Sequence, residues 1–183
     1  MSGKIFWFII AIVMAAGVVY YILSWRGAVD MPVPPTAKPM PELIFSDYEG
    51  KIVNLSEFRG PLRSRESEAS KPLIINVWAS WCSYCKKELS DFAVIQQEFG
   101  EKITVIAIDR RETPEAVKKY SDDLGVTGKI ILLLDPDDSL YKAISGFSMP
   151  ETLFVDREGS IRYHKRGPME LEEIRRRAQK ILL

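Results

Sequence analysis

Asn76-Val77-Trp78-Ala79-Ser80-Trp81-Cys82-Ser83-Tyr84-Cys85 contains both cysteines of this 183-residue chain. It begins within Leu73 to Trp78, an apolar run that reads as a buried strand, and precedes Lys86 to Phe99, where Leu89, Phe92, Ala93, Ile95 and Phe99 fall at helical spacing up to a stop at Gly100. The dithiol therefore belongs at a strand-to-helix junction. Two cysteines three positions apart close too small a loop to constrain an unfolded chain, so a structural staple explains them poorly and reversible dithiol chemistry explains them well. A thiol at the first turn of a helix meets unpaired backbone N–H groups and the positive end of the helix dipole, and both favour its thiolate. In a Cys-x-x-Cys pair the first thiol is ordinarily the exposed one, and the second lies one turn on, within reach of a mixed disulfide. Cys82 is thus expected to be the nucleophile and Cys85 the resolving thiol. Trp78 and Trp81 either form an apolar lip around them or fill the core.

Outward from this junction, short apolar runs alternate with helix-length amphipathic ones from Glu42 onward, which predicts an α/β domain. Glu42 to Phe45 and Lys51 to Leu55 flank the turn residues Asp47 to Gly50 and predict an opening hairpin. Lys102 to Asp109 and Ile130 to Leu134 read as further strands, and Thr113-Pro114 as a capped helix start. A short helix around Ser139 to Ile144 precedes a second hairpin, Thr152 to Val155 and Ser160 to His164, and a last helix from Met169 to Leu182. Pro61 to Lys71 reads as a surface loop.

Toward the amino end, Ile5 to Leu23 holds 19 consecutive residues without a charge. As a helix it would extend roughly 28 Å, the thickness of a bilayer's hydrocarbon core. The stretch exceeds the apolar region of a cleaved leader, and no small-residue cleavage pattern follows it before Arg26, so an uncleaved transmembrane anchor over residues 1–27 is expected. Ala28 to Pro41 carries prolines at 32, 34, 35, 39 and 41 and reads as a spacer holding residues 42–183 off the membrane. Lys4 on one side and Arg26 on the other leave the orientation open.

Trp78 to Leu89, W-A-S-W-C-S-Y-C-K-K-E-L, and Ser148 to Gly159, S-M-P-E-T-L-F-V-D-R-E-G, together resemble the thioredoxin superfamily. More narrowly the chain is similar, over about Pro41 to Leu183, to the membrane-anchored TlpA/DsbE-like thiol-disulfide oxidoreductases, several of which serve cytochrome c maturation. The resemblance implies a thioredoxin-like fold with the hairpin as an N-terminal extension and one transmembrane helix before it. It implies a cis Met149-Pro150 peptide against the dithiol, with Trp81, Met149, Pro150 and Glu151 contacting an extended protein substrate. It places the domain on the extracytoplasmic, periplasmic side of the inner or cytoplasmic membrane. The expected partners are disulfide-bearing proteins, such as apocytochrome c with its haem-attachment cysteines, and a membrane-embedded thiol electron donor; no cofactor is implied. Tyr84 stands where relatives usually carry proline, so the reduction potential does not carry over. Asn76 stands where cytosolic thioredoxins bury an aspartate, which leaves Glu151 or water to serve Cys85.

Lys+Arg and Asp+Glu both number 25, without the clustered basic excess that nucleic acid requires. A structural zinc site needs four ligands, and the single histidine, His164, is distant in sequence and reads as a solvated strand residue. Asp135, Asp137 and Asp138 read as a turn, and Arg175-Arg176-Arg177 as a solvated helix flank. The readings that stand are a dithiol reductase, an oxidase of the same fold, and a copper-binding assembly factor using the same thiols as soft ligands.

Overall fold

Strand β4 (Leu73–Trp78) is buried along its whole length, which suits a sequence without alternation that is apolar except for Asn76. Its two faces feed two cores: Ile74 and Trp78 point to one, and Leu73, Ile75 and Val77 to the other. The computed structural model describes residues 38–59 and 71–183, with the single helical positions Trp7, Met14 and Gly17. The expected anchor, apart from those three positions, the first ten residues of the spacer and nearly all of the Pro61 to Lys71 loop lie outside the described residues. Among the described residues no helix is long and apolar enough to cross a membrane.

Parallel to β4 runs β5 (Thr104–Arg110), in a register that sets Trp78 beside Asp109, and beyond it β6 (Ile131–Asp135). On its other side β4 pairs antiparallel with β7 (Glu151–Val155), which forms a hairpin with β8 (Ser160–Arg166). The opening hairpin, β2 (Ile44–Ser46) and β3 (Ile52–Asn54), extends the sheet past β6 and sends Phe45 and Val53 into the second core. At the opposite edge lies β1 (Lys38–Pro39), so the sheet runs β1-β8-β7-β4-β5-β6-β2-β3. β1 falls within the stretch read as spacer: Lys38 and Pro39 pair with Ile161 and Ser160, the Met40 N–H donates to the Gly159 carbonyl at 2.9 Å, and the Met40 side chain is buried. Proline is tolerated there because an edge strand needs donors on one side only.

Helix α1 (Ser83–Phe99) lays Leu89, Phe92 and Ile95 on the first core, as its spacing predicts, and ends at Gly100 with φ of 55°, a conformation glycine adopts without strain. Helix α2 (Pro114–Asp123) starts as read, with the Thr113 hydroxyl accepting the Ala116 N–H at 3.3 Å. The short α3 (Ser139–Ala143) covers the second core with Leu140, and Asp135 accepts the N–H groups of Ser139 and Leu140, bearing out the turn reading of that carboxylate. Helix α4 (Leu171–Lys180) returns to the first core through Ile174 and Ala178. One member of its arginine run departs from the expected solvated flank: Arg177 is buried, bonded to Glu173 and seated over the Tyr163 ring.

Candidate active site

Cys82 is the N-cap of α1, and its Sγ accepts the backbone N–H of Cys85 at 3.2 Å. The two sulfurs are joined in a disulfide. Cys85 faces the first core and is fully buried, whereas Cys82 is 5% exposed, so the expected contrast between an open and a closed thiol is slight. The exposed surface belongs instead to their neighbours, with Trp81 64% and Tyr84 65% accessible. The two tryptophans divide the roles read for them. Trp78 is core, stacked on Tyr120 with ring centroids 5.5 Å apart, and Trp81 is the outward-facing lip.

The Met149-Pro150 peptide is cis, as the resemblance implies. Register brings it to the dithiol's end of the sheet, because Glu151, directly after it, pairs with Val77, one residue before the end of β4. Met149 packs against the core cluster that includes Cys82 and Cys85.

The Glu151 carboxyl lies on the other side of the sheet from Cys85. Along β7, Thr152 and Phe154 face α1, so alternation turns Glu151 to the opposite side of the sheet. There its Oε1 accepts the N–H groups of Phe147 at 2.7 Å and Ser148 at 2.9 Å, and its Oε2 lies 2.6 Å from His164 Nε2. His164 is therefore not a solvated strand residue. It sits diagonally across the β7–β8 pairing from Glu151, and β1 covers the far side of its strand. Burial pushes its pKa below the ordinary histidine value, with the Glu151 carboxylate working against that shift.

The carboxyl on the dithiol's face is one the sequence reading passed over. Glu88 lies one turn beyond Cys85 on the buried side of α1, where its Oε2 accepts from Asn76 Nδ2 at 3.1 Å and its Oε1 from the Met169 N–H at 3.0 Å. Asn76 also donates to the Thr152 hydroxyl at 3.0 Å. Burial, only partly offset by these hydrogen bonds, pushes the Glu88 pKa up to about 8. Its signal was positional: three residues from Cys85 and next to Leu89, it shares the helix's apolar stripe. A second buried carboxyl, Asp109, faces the same side from β5.

The AhpC/TSA family profile matches residues 36–164. Thiol-disulfide oxidoreductase ResA of Bacillus thuringiensis subsp. konkukian is 26% identical over 145 residues, which are 79% of this chain and 77% of that protein. Thiol:disulfide interchange protein DsbE of Allochromatium vinosum is 31% identical over 146 residues, 78% of this chain and 72% of its own length. The crystal structure of a thioredoxin family thiol:disulfide interchange protein from Chlorobium tepidum TLS aligns with a TM-score of 0.67 over 82% of this chain and 99% of that one, at 20% identity, and shows the fold to be thioredoxin-like. With the profile spanning well over half of its length and relatives of these two kinds beside it, the chain belongs to the AhpC/TSA family, among the thiol-disulfide oxidoreductases of ResA and DsbE type.

Proposed function

We propose that this thiol-disulfide oxidoreductase works as a reductase of partner-protein disulfides on the extracytoplasmic face of a membrane, held there by an anchor over residues 1–27 and a proline-rich spacer from residue 28. The observation that carries the reading is the N-cap position of Cys82, whose sulfur already receives a backbone N–H. In the reduced protein the Cys82 thiolate attacks one sulfur of the partner's disulfide, forming the mixed disulfide and expelling the other partner sulfur as a thiolate that takes up a proton. Cys85 then loses its proton and attacks Cys82 Sγ, which releases the second partner thiol and forms the Cys82–Cys85 disulfide. A membrane-embedded dithiol donor returns two electrons and two protons. Glu88 is the proposed holder of the Cys85 proton, since a carboxyl with pKa of about 8 exchanges protons near neutrality. Trp81, Met149 and Pro150 border the place where an extended partner segment, such as the haem-attachment region of apocytochrome c, would lie.

The test is capture. Cys85→Ala in the full chain is expected to accumulate lasting mixed disulfides through Cys82, while Cys82→Ala accumulates none; the reverse result overturns the division of labour. Direction is set by the midpoint potential, with about 30 mV worth a tenfold change in the exchange equilibrium. A midpoint below that of glutathione supports the reductase, and one well above it makes the protein an oxidase.

A further inference from the structure

Beneath the loop that delivers Cys82 lies a polar knot for which the exchange reaction has no use. Asp109, one residue before the end of β5, lies beside Trp78 on the α1 side of the sheet and is fully buried. Its Oδ1 accepts the Glu112 N–H at 3.1 Å, while its Oδ2 has no hydrogen-bond partner among the described residues. Glu112 in turn grips Ser80 twice, its Oε2 accepting the Ser80 N–H at 2.6 Å and its Oε1 the Ser80 hydroxyl at 2.5 Å. Ser80 stands two residues before Cys82. A single side chain from the β5–α2 loop therefore holds the backbone that carries the nucleophile.

Two carboxyls in such close quarters cannot both ionise cheaply. Burial first, and then the neighbouring Glu112, push the Asp109 pKa up to about 8. For Glu112 burial also works upward, but the neighbouring Asp109 carboxyl and the hydrogen bonds from Ser80 outweigh it and hold the group below the ordinary carboxylate range. The partnerless Oδ2 is the atom that a proton would turn from a surplus acceptor into a donor. The other ionisable groups around the knot do not supply that proton. Tyr120 of α2 stacks on Trp78 and is itself raised by burial and Glu112. Lys118 of α2 is engaged by Asp122. Arg110 turns to the opposite face and pairs with Asp138. On α1, the cysteines are joined to each other, and Glu88 is bonded to Asn76 and the Met169 N–H.

We propose that Asp109 and Glu112 share one proton, Asp109 donating to Glu112, and that the pair acts as positioning residues for Cys82 by clamping Ser80. The proposal rests on Cys82 being the nucleophile. It gives the loop a pH range: while the pair holds its proton the clamp carries one negative charge, and on losing it two adjacent carboxylates repel, the grip on Ser80 slackens, and a second charge opposes thiolate formation nearby.

Two measurements on the full chain test it. Infrared spectra at pH 7 read the protonated-carboxyl C=O band in a Glu88→Gln background, where Asp109 is the expected source. The band should disappear in Asp109→Asn and also in Glu112→Gln, because a glutamine amide donates to Asp109 and lets it ionise. Survival of the band in Glu112→Gln, or its absence before either change, overturns the shared proton, and this readout is independent of Cys82. The second measurement follows alkylation of Cys82 by iodoacetamide against pH in a Cys85→Ala background. Asp109→Asn, whose amide replaces the donor, should keep the pH 7 rate within about threefold and remove the inflection near pH 8, whereas Asp109→Leu should slow it roughly tenfold. Ser80→Ala, which disturbs no buried charge, should give a smaller slowing. Equal profiles for Asp109→Asn and Asp109→Leu, or a wild-type inflection that Asp109→Asn leaves in place, overturn the clamp. A Cys82 that resists alkylation at every pH, with the infrared result intact, overturns the nucleophile reading instead.

Discussion

Glu88 and Glu151 show how one residue's direction decides its chemistry. Both are acidic and fully enclosed, but Glu88 shares the helix face of Cys85, whereas Glu151 is separated from the thiols by the thickness of the sheet. Replacing Glu88 by glutamine preserves the bond geometry to Asn76 but removes the proton site. Resolution of the mixed disulfide at pH 7 is expected to slow by about 10²-fold, with the first attack by Cys82 little changed, as rapid-quench measurement of the two steps would show. Equal slowing of both steps would remove Glu88 from the proton path. In the sequence, Glu88 follows Lys86 and Lys87 and so reads as part of a charged helix surface. The stripe it shares with Leu89 points it inward, but the bond that receives it there comes from Met169, a long-range contact that local pattern does not encode. The side taken by Glu151, by contrast, was legible in principle, because strand alternation from Phe154 leads straight to it.

At the level of elements, the amino end of α1 carries the electrostatic argument, and its first turn contains no acidic residue to oppose it. Ser83→Asp should disfavour the Cys82 thiolate by about 0.3–1 kcal/mol, moving the alkylation midpoint upward by a few tenths of a pH unit. Tyr84→Pro should leave the fold intact, since the side chain is exposed and a first-turn N–H has no helical partner to lose; the change belongs in the redox potential, which titration against glutathione would detect. The central strands, α1, the capped start of α2 and both hairpins were legible because hydrophobic period, Thr-Pro and Gly-bearing turns all agreed at those places. β1 was not, since two residues in a run of prolines carry no period, and only the partner strand makes them a strand. Met40→Ala is therefore expected to destabilise the folded domain by about 2–5 kcal/mol in urea denaturation, and a protein starting at Glu42 should be weaker than one starting at Pro35.

The molecule as a whole should record its two elevated carboxyls in its stability. Glu88 and Asp109 hold protons in the folded state up to about pH 8 that the unfolded chain releases near ordinary carboxylate values. Their contribution is fully present below the unfolded values, pH ~3.9 for Asp109 and ~4.3 for Glu88, and is lost as pH rises through the folded values. Between pH 5 and 8 the unfolding free energy should fall by up to about 1.4 kcal/mol per pH unit for each group, and the double variant Glu88→Gln/Asp109→Asn should flatten that slope. A double variant whose slope equals that of the wild type in guanidinium titrations across this range would show that neither group is elevated. The recessed setting of Cys82 has a different outcome, felt in traffic with the surroundings. A sulfur with so little open surface, flanked in sequence by the exposed rings of Trp81 and Tyr84, should be a poor target for small diffusible thiols, which bring no surface of their own. A polypeptide that settled on Trp81 and Tyr84 would bury apolar surface on arrival, an advantage over the bulk thiol pool that only a partner with a surface of its own could use.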